Sequence, residues 1–199
     1  KVNNHGFEFE LGWQDQAGEF TYGVNANLAT ISSEVKEMEG TRIVNDLSDF
    51  VYFDKGQPMW SYYGYKYLGV NPEDGSAMYY DKDKSGTIDD KDMTIIGSTV
   101  PRYTYGVHLS FGWKGLNLSA FFQGVGKVDG YLSSYYVQPC QQGGTFRKEH
   151  LDRWNETNPN GKYPRLTMTD ANNWKQSSFW MRSAAYCRLK NIQLSYTLP

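Results

Sequence analysis

The chain has 199 residues, a formal net charge of -2, 21% charged residues, and a high aromatic content of 6 Trp, 16 Tyr and 10 Phe. That aromatic content excludes a disordered chain. The near-balanced charge gives no basic footprint for nucleic acid, and no run of about 18 apolar residues is present to form a transmembrane helix.

The dominant period is two, which is the strand signal. In Gly6–Gln14, Phe7, Phe9, Leu11 and Trp13 share one face and Glu8, Glu10, Gly12 and Gln14 the other. In Phe20–Thr30, Phe20, Tyr22, Val24, Ala26 and Leu28 alternate with small polar residues. Thr104–Lys114 repeats the pattern with Tyr105, Val107, Leu109, Phe111 and Trp113, and Leu116–Gln123 with Leu116, Leu118, Ala120 and Phe122. A last strand is predicted over 188–196, with Arg188, Lys190, Ile192, Leu194 and Tyr196 on one face.

The polar faces are mostly small and uncharged, built from Gly, Asn, Ser, Thr and Gln. Small uncharged side chains suit a crowded or plugged lumen better than bulk water. The apolar faces carry aromatics at their ends, as an interfacial girdle requires. The runs are close to the ~9–11 residues that a membrane strand needs. Short links, Asp15–Glu19 and Lys114-Gly115, alternate with long segments, about 32–103 and 125–185. Short periplasmic turns and long external loops are the habit of outer-membrane barrels. Strand parity then requires 31–103 to cross the membrane an even number of times, so the run Trp60–Tyr67 is read as an external ribbon.

The sharpest chemical motif is Asp81–Asp92, DKDKSGTIDDKD. It follows EF-hand loop spacing, with Asp81, Asp83, Ser85, Thr87, Asp89 and Asp92 at the ligand positions and Gly86 at the turn. A hard cation needs several oxygens converging from one tight loop, and Ca2+ is the expected ion. Ser85 and the short Asp92 weaken the match, and the flank Met78–Tyr80 reads as strand rather than helix. Without an ion, the same Asp residues cap their own backbone.

Trp60, Tyr62, Tyr63 and Tyr65 are candidates to stack on a sugar or other ligand, and Tyr131–Tyr136 is a second aromatic cluster. Thr145–Asn155 is predicted as a short helix with Phe146, His150 and Trp154 on one face. His5, His108 and His150 lack metal spacing, with His108 expected on a lumen face. No catalytic constellation is present, so the chain is read as not an enzyme. Glu8 and Glu10 are the only paired acids on a strand and are poor support for a glycoside hydrolase. Cys140 and Cys187 are too few for a disulfide framework, although an oxidising compartment would allow them to pair.

Several stretches together resemble one known family. They are Tyr80-Asp81, Ser85–Asp89, Pro101–Gly106, Trp113–Ser119, Phe121–Gly124, Arg153-Trp154, Asn158–Arg165 and Tyr186–Pro199. In order and spacing they resemble the SusC/RagA family of TonB-linked outer-membrane proteins of Bacteroidetes. Two departures stand out: Cys187 replaces a common Leu, and the acidic loop is poorer in Asn and Asp. The resemblance implies an all-β fold, an antiparallel segment of about five spanning strands from a 22-stranded plugged barrel in the Gram-negative outer membrane. It also implies nutrient uptake of oligosaccharides or peptides, a SusD-like surface lipoprotein as lid, and energy from TonB acting on an N-terminal region. Twenty-two strands of ~10 residues need about 220 residues before any loop. Residues 1–199 are therefore expected to be a single fragment of such a barrel domain, facing outer-membrane lipid. The alternative is a soluble cell-surface β-domain that binds calcium and carbohydrate.

Overall fold

The computed structural model describes residues 1–39, 43–44, 51–132, 139 and 144–198. Cys140, Tyr135 and Tyr136 lie outside the described residues.

Five long strands carry the architecture: β1 (Glu8–Ala17), β2 (Phe20–Thr30), β3 (Tyr103–Trp113), β4 (Leu116–Gly126) and β5 (Tyr186–Tyr196). They form one antiparallel sheet in the order β5-β4-β3-β2-β1. Each has 10 or 11 residues, the length that spans a bilayer when tilted. β1 runs on to Ala17, so its link to β2 shrinks to Gly18-Glu19, with Ala17 paired to Phe20. The β3–β4 link is Lys114-Gly115, where φ is 47° and 83°. Positive φ at both central residues is the type I′ hairpin turn, whose twist matches that of the flanking strands. Glu19 and Lys114 join the two turns by an ion pair of 3.1 Å, exposed enough to contribute under about 1 kcal/mol. Thr197 N–H donates to Gly115 O (2.8 Å), so the end of β5 lies beside the β3–β4 turn.

One face of this sheet is apolar along its length and is left open by the described residues. Leu11 is 71% exposed, Ile192 64% and Leu194 67%. A large apolar face left open on a folded chain marks a surface meant for lipid or for a partner. Its margins are aromatic. Near the tight turns, Phe20 stacks on Tyr22 (5.8 Å) and on Phe111 (6.3 Å), and Tyr22 meets Trp13 edge-on (6.0 Å). Near the other end, Phe7 lies by Phe9 and Tyr103 by Tyr105. Tyr103 and Tyr105 cover Gly126 and Gly124 of β4, where a Cβ would collide with their rings. Each tyrosine fills the gap that a strand glycine leaves.

The inner face follows the same register. One row reads Gly12, Asn25, His108, Phe121, Asn191 and the next Gln14, Gly23, Ser110, Ser119, Gln193. His108 sits on this polar face. A bulge corrects the predicted faces of β5. Phe121 pairs with Asn191, but Phe122 pairs with Leu189, so Lys190 is the extra residue. An inserted residue reverses the alternation beyond it. Arg188 therefore opposes Gln123 on the polar side, and Leu189 and Cys187 take the apolar side with Ile192 and Leu194. Cys187 is exposed and unpaired with another cysteine. The bulge removes a cation from an otherwise apolar face.

Hydrophobic burial lies elsewhere. Among the described residues the buried apolar side chains are Val35, Tyr65, Ala77, Tyr79, Val128, Tyr163 and Trp180, none of them in the five long strands. They belong to the two long connections, 31–102 and 127–185, which leave and return at the same end of the sheet. The first holds a four-stranded sheet ordered Thr94–Ser98, Ser61–Gly64, Val51–Phe53, Ile43–Val44, and a hairpin of Tyr67–Val70 with Ala77–Tyr79. The second contributes a two-stranded ribbon, Asp129–Tyr131 with Met181–Ser183. The helix predicted over 145–155 is a five-residue 3-10 turn, Lys148–Asp152. His150 is buried there while Phe146 is 61% exposed, so Phe146, His150 and Trp154 do not share a face. No helix among the described residues is long and apolar enough to cross a membrane.

Candidate functional site

The acidic loop folds largely on its own backbone. Asp81 accepts from the N–H groups of Ser85 (3.1 Å) and Gly86 (2.8 Å), and Asp83 also accepts from Ser85 N–H (3.1 Å). Gly86 takes φ +82°, the left-handed conformation that glycine adopts without steric cost. Ser85 Oγ donates to Thr87 O (3.0 Å). Asp89 caps the short 3-10 turn Asp90–Asp92 by accepting from Lys91 N–H (2.8 Å). Asp92 reaches back to Asp89 N–H (2.9 Å) and accepts from Lys82 N–H with its other oxygen (2.7 Å).

Of the six predicted ligands, the structure brings three carboxylates together. Oxygens of Asp81, Asp83 and Asp92 lie within 4.8 Å of one another. That spacing and the hard oxygen donors fit a divalent cation such as Ca2+. Ser85, Thr87 and Asp89 serve the turn itself. Asp92 is fully buried. The backbone N–H of Asp89 first, then that of Lys82, hold its carboxyl below the ordinary carboxylate range. The lowered value makes the ionised form part of the fold. Its contribution is full above the ordinary Asp pKa near ~3.9 and is lost as pH falls through the folded value. Acid unfolding of the loop is therefore expected below about pH 4. Asp92→Asn should flatten that acid limb in a pH series of thermal melts, and an unchanged limb would place the lost protons elsewhere.

The four predicted aromatics do not form one platform. Trp60, in the left-handed region at φ 58°, meets Phe53 edge-on at 4.9 Å. Tyr62 lies by Tyr131 (6.1 Å), and Tyr63 offers its carbonyl to the side-chain amide of Gln176. Tyr65 is a core residue, 7% exposed, packed on Tyr79 with centroids 5.6 Å apart. Its hydroxyl donates to Asp90 (3.2 Å). Burial, then Asp90, pushes its pKa up to about 12, which keeps it neutral.

The joint between the two long connections escaped the sequence reading. Residues 172–178 run along the hairpin of the first connection. Ala77 N–H donates to Asn173 Oδ1 (2.8 Å), Asn173 Nδ2 to Arg165 O (3.2 Å), and Asn172 Nδ2 to Ala77 O (2.9 Å). Tyr79 hydroxyl donates to Asn172 O (2.7 Å). The Tyr65 and Ser178 backbones extend the zip through Tyr65 N–H to Gln176 O and Ser178 N–H to Tyr65 O, both 2.9 Å. Lys175 caps it: its ammonium lies 4.9 Å from the Tyr65 ring centre and donates to Ile88 O (3.1 Å). One cation thus ties the acidic loop to the aromatic core.

A sheet with a lipid-type outer face, a polar inner face and interlocked connections at one end can be compared with known proteins. No family model matches the chain. TonB-dependent receptor P3 of Formosa agariphila is 24% identical over 224 aligned residues, covering 100% of this chain and 22% of the relative. TonB-dependent receptor P26 of the same organism is 23% identical with the same coverage. A structure of the RagAB peptide transporter superposes on 100% of the chain with TM-score 0.85 at 22% identity, using 23% of that chain. A RagAB peptide importer in an open-open state gives TM-score 0.81 at 24% identity.

The sheet has the fold of part of the RagAB transporter chain, and the sequence is similar to that of TonB-dependent receptors. The chain spans about a fifth of the length of the curated relatives it matches. Its fold is that of an antiparallel segment of the matched RagAB chain. The matched proteins are named as receptors and transporters. Glu8 and Glu10 lie on the same face of β1, opposite Ala29 and Asn27 rather than another acid.

Proposed function

We propose that the chain supplies barrel wall and clustered outer loops to a receptor that imports nutrients across the outer membrane. The observation that carries this reading is the open apolar face, bounded by aromatics at both ends, on strands of membrane-spanning length. The connections at 31–102 and 127–185 are then the external loops. Oligosaccharides or peptides are the proposed cargo, TonB the energy source, and a SusD-like lipoprotein the lid seated over the loop cluster. The RagAB likeness favours peptides. Deleting the receptor should abolish growth on its oligomeric nutrient, and the lipoprotein should co-purify with it in detergent. Undiminished uptake in the deletion strain would overturn the reading. A soluble surface domain is disfavoured by the same apolar face, which no part of the described chain covers.

The clustered carboxylates of Asp81, Asp83 and Asp92 are proposed as a calcium site. Millimolar Ca2+ should raise the melting temperature of the wild type but not of Asp81→Asn/Asp83→Asn. A wild-type melting temperature indifferent to Ca2+ would remove the site.

A further inference from the structure

Beside the acidic loop lies a cavity of about 500 Å³ lined by Lys66, Tyr80, Lys82, Thr94, Ile95 and Ile96 among others. Two lysines, Lys66 and Lys82, are among its lining residues. Lys66 leans over the Tyr80 ring, 5.6 Å from its centre, and that contact leaves its positive charge uncompensated. Neither lysine has a carboxylate within ion-pair distance among the described residues. This is unexpected next to a loop with five aspartates. The hydrogen bonds above explain it: Asp81, Asp83, Asp89 and Asp92 are turned toward backbone N–H groups. Asp92 also holds the Lys82 backbone through its N–H (2.7 Å), fixing where that side chain starts. The loop uses its own anions internally and presents a cation outward. Ile95, Ile96 and the Tyr80 ring give the cavity an apolar wall, and Thr94 adds a hydroxyl.

We propose that this cavity binds a carboxylate carried on a compact body, with Lys66 and Lys82 as the two cationic contacts. Lysine pairs hold a carboxylate as point charges rather than by a bidentate fork, so charge matters more than exact orientation. The carboxylate can come from an acidic peptide side chain or terminus, or from a uronic-acid sugar. As a cargo contact the site rests on the import reading, but binding itself is measured without transport.

The test uses the purified receptor in detergent and calorimetric titration with three probes: N-acetyl-Leu-Glu, its uncharged analogue N-acetyl-Leu-Gln-amide, and a digalacturonate. Lys66→Gln/Lys82→Gln should weaken binding of a charged probe about tenfold or more and leave the uncharged one unchanged. The probe that responds identifies the carboxylate source. Because both lysines are exposed, the variant should keep the wild-type melting temperature. Equal affinity of wild type and variant for both charged probes, or no binding of either by wild type, overturns the proposal. Carboxylate binding that depends on the lysines in a receptor whose deletion leaves uptake intact would sustain the site and discard the import reading. Lost uptake in the deletion strain with charge-blind binding would do the reverse.

Discussion

Gly75→Ala is expected to open the joint between the two long connections at a cost of about 2–5 kcal/mol. Gly75 ends the turn that begins at Asn71, with Gly75 N–H donating to Asn71 O (2.8 Å), and it takes φ +72°. An alanine there meets two penalties. The left-handed conformation costs a residue with a Cβ roughly 1–2 kcal/mol. The new methyl would also overlap the indole of Trp154, and overpacking of this kind costs about 1–3 kcal/mol. The ring cannot simply retreat, because Trp154 Nε1 donates to Pro72 O (3.0 Å) in the same turn. Gly75 O accepts from Arg165 N–H (2.8 Å), so the strain passes to the second connection. Gly86→Ala is the control: its φ of +82° is similar, but nothing lies within 4 Å of the added methyl. It should lose only the conformational share, about 1–2 kcal/mol. Hydrogen exchange at Ala77 and Arg165 reads the difference. Equal protection in both variants would show that the Trp154 contact does not hold the joint.

Asn173→Ala should be comparably damaging for a different reason. Asn173 is 2% exposed, and its amide serves both sides of the joint, accepting from Ala77 N–H and donating to Arg165 O. Truncation leaves a buried donor and a buried acceptor without partners, each costing about 1–3 kcal/mol. It also leaves a small void. Asn173→Asp keeps the acceptor for Ala77 but sets a buried carboxylate against the Arg165 carbonyl, so it should be at least as damaging as alanine. Limited proteolysis and thermal melts rank the three. An alanine variant as stable as the wild type would mean that water replaces the amide at no cost.

The sheet was readable in the sequence because one apolar and one polar face impose a two-residue alternation along each strand. Trp13, Phe111 and Leu118 announce their face by spacing alone. The bulge at Lys190 was not readable, since no Gly or Pro marks it and only pairing with Phe121 and Phe122 shows the slip. The acidic loop was readable as a spacing, but not the division of labour within it. Whether Asp89 caps a turn or points to a cation depends on the 3-10 turn at Asp90–Asp92, which three residues do not advertise. The loop core was least readable. Its contacts join residues 93 to 113 positions apart, such as Tyr79 with Asn172 and Gln176 with Tyr63, and much of it is polar side chain against backbone. No periodicity foretells such pairings, which is why Tyr65 looked like a ligand contact and proved to be core.

The proposed reading places the apolar face of this sheet in lipid and the opposite face in a watery lumen. Single cysteines at Leu11 and Leu109, on the apolar face, and at Asn25 and Ser110, on the polar face, can be spin-labelled in the membrane-embedded receptor after Cys140→Ser and Cys187→Ser. Their collision rates with oxygen, which concentrates in lipid, and with a water-soluble nickel chelate decide the matter. This placement gives oxygen-dominated labels at 11 and 109 and nickel-dominated labels at 25 and 110. Nickel access to all four labels alike would contradict it.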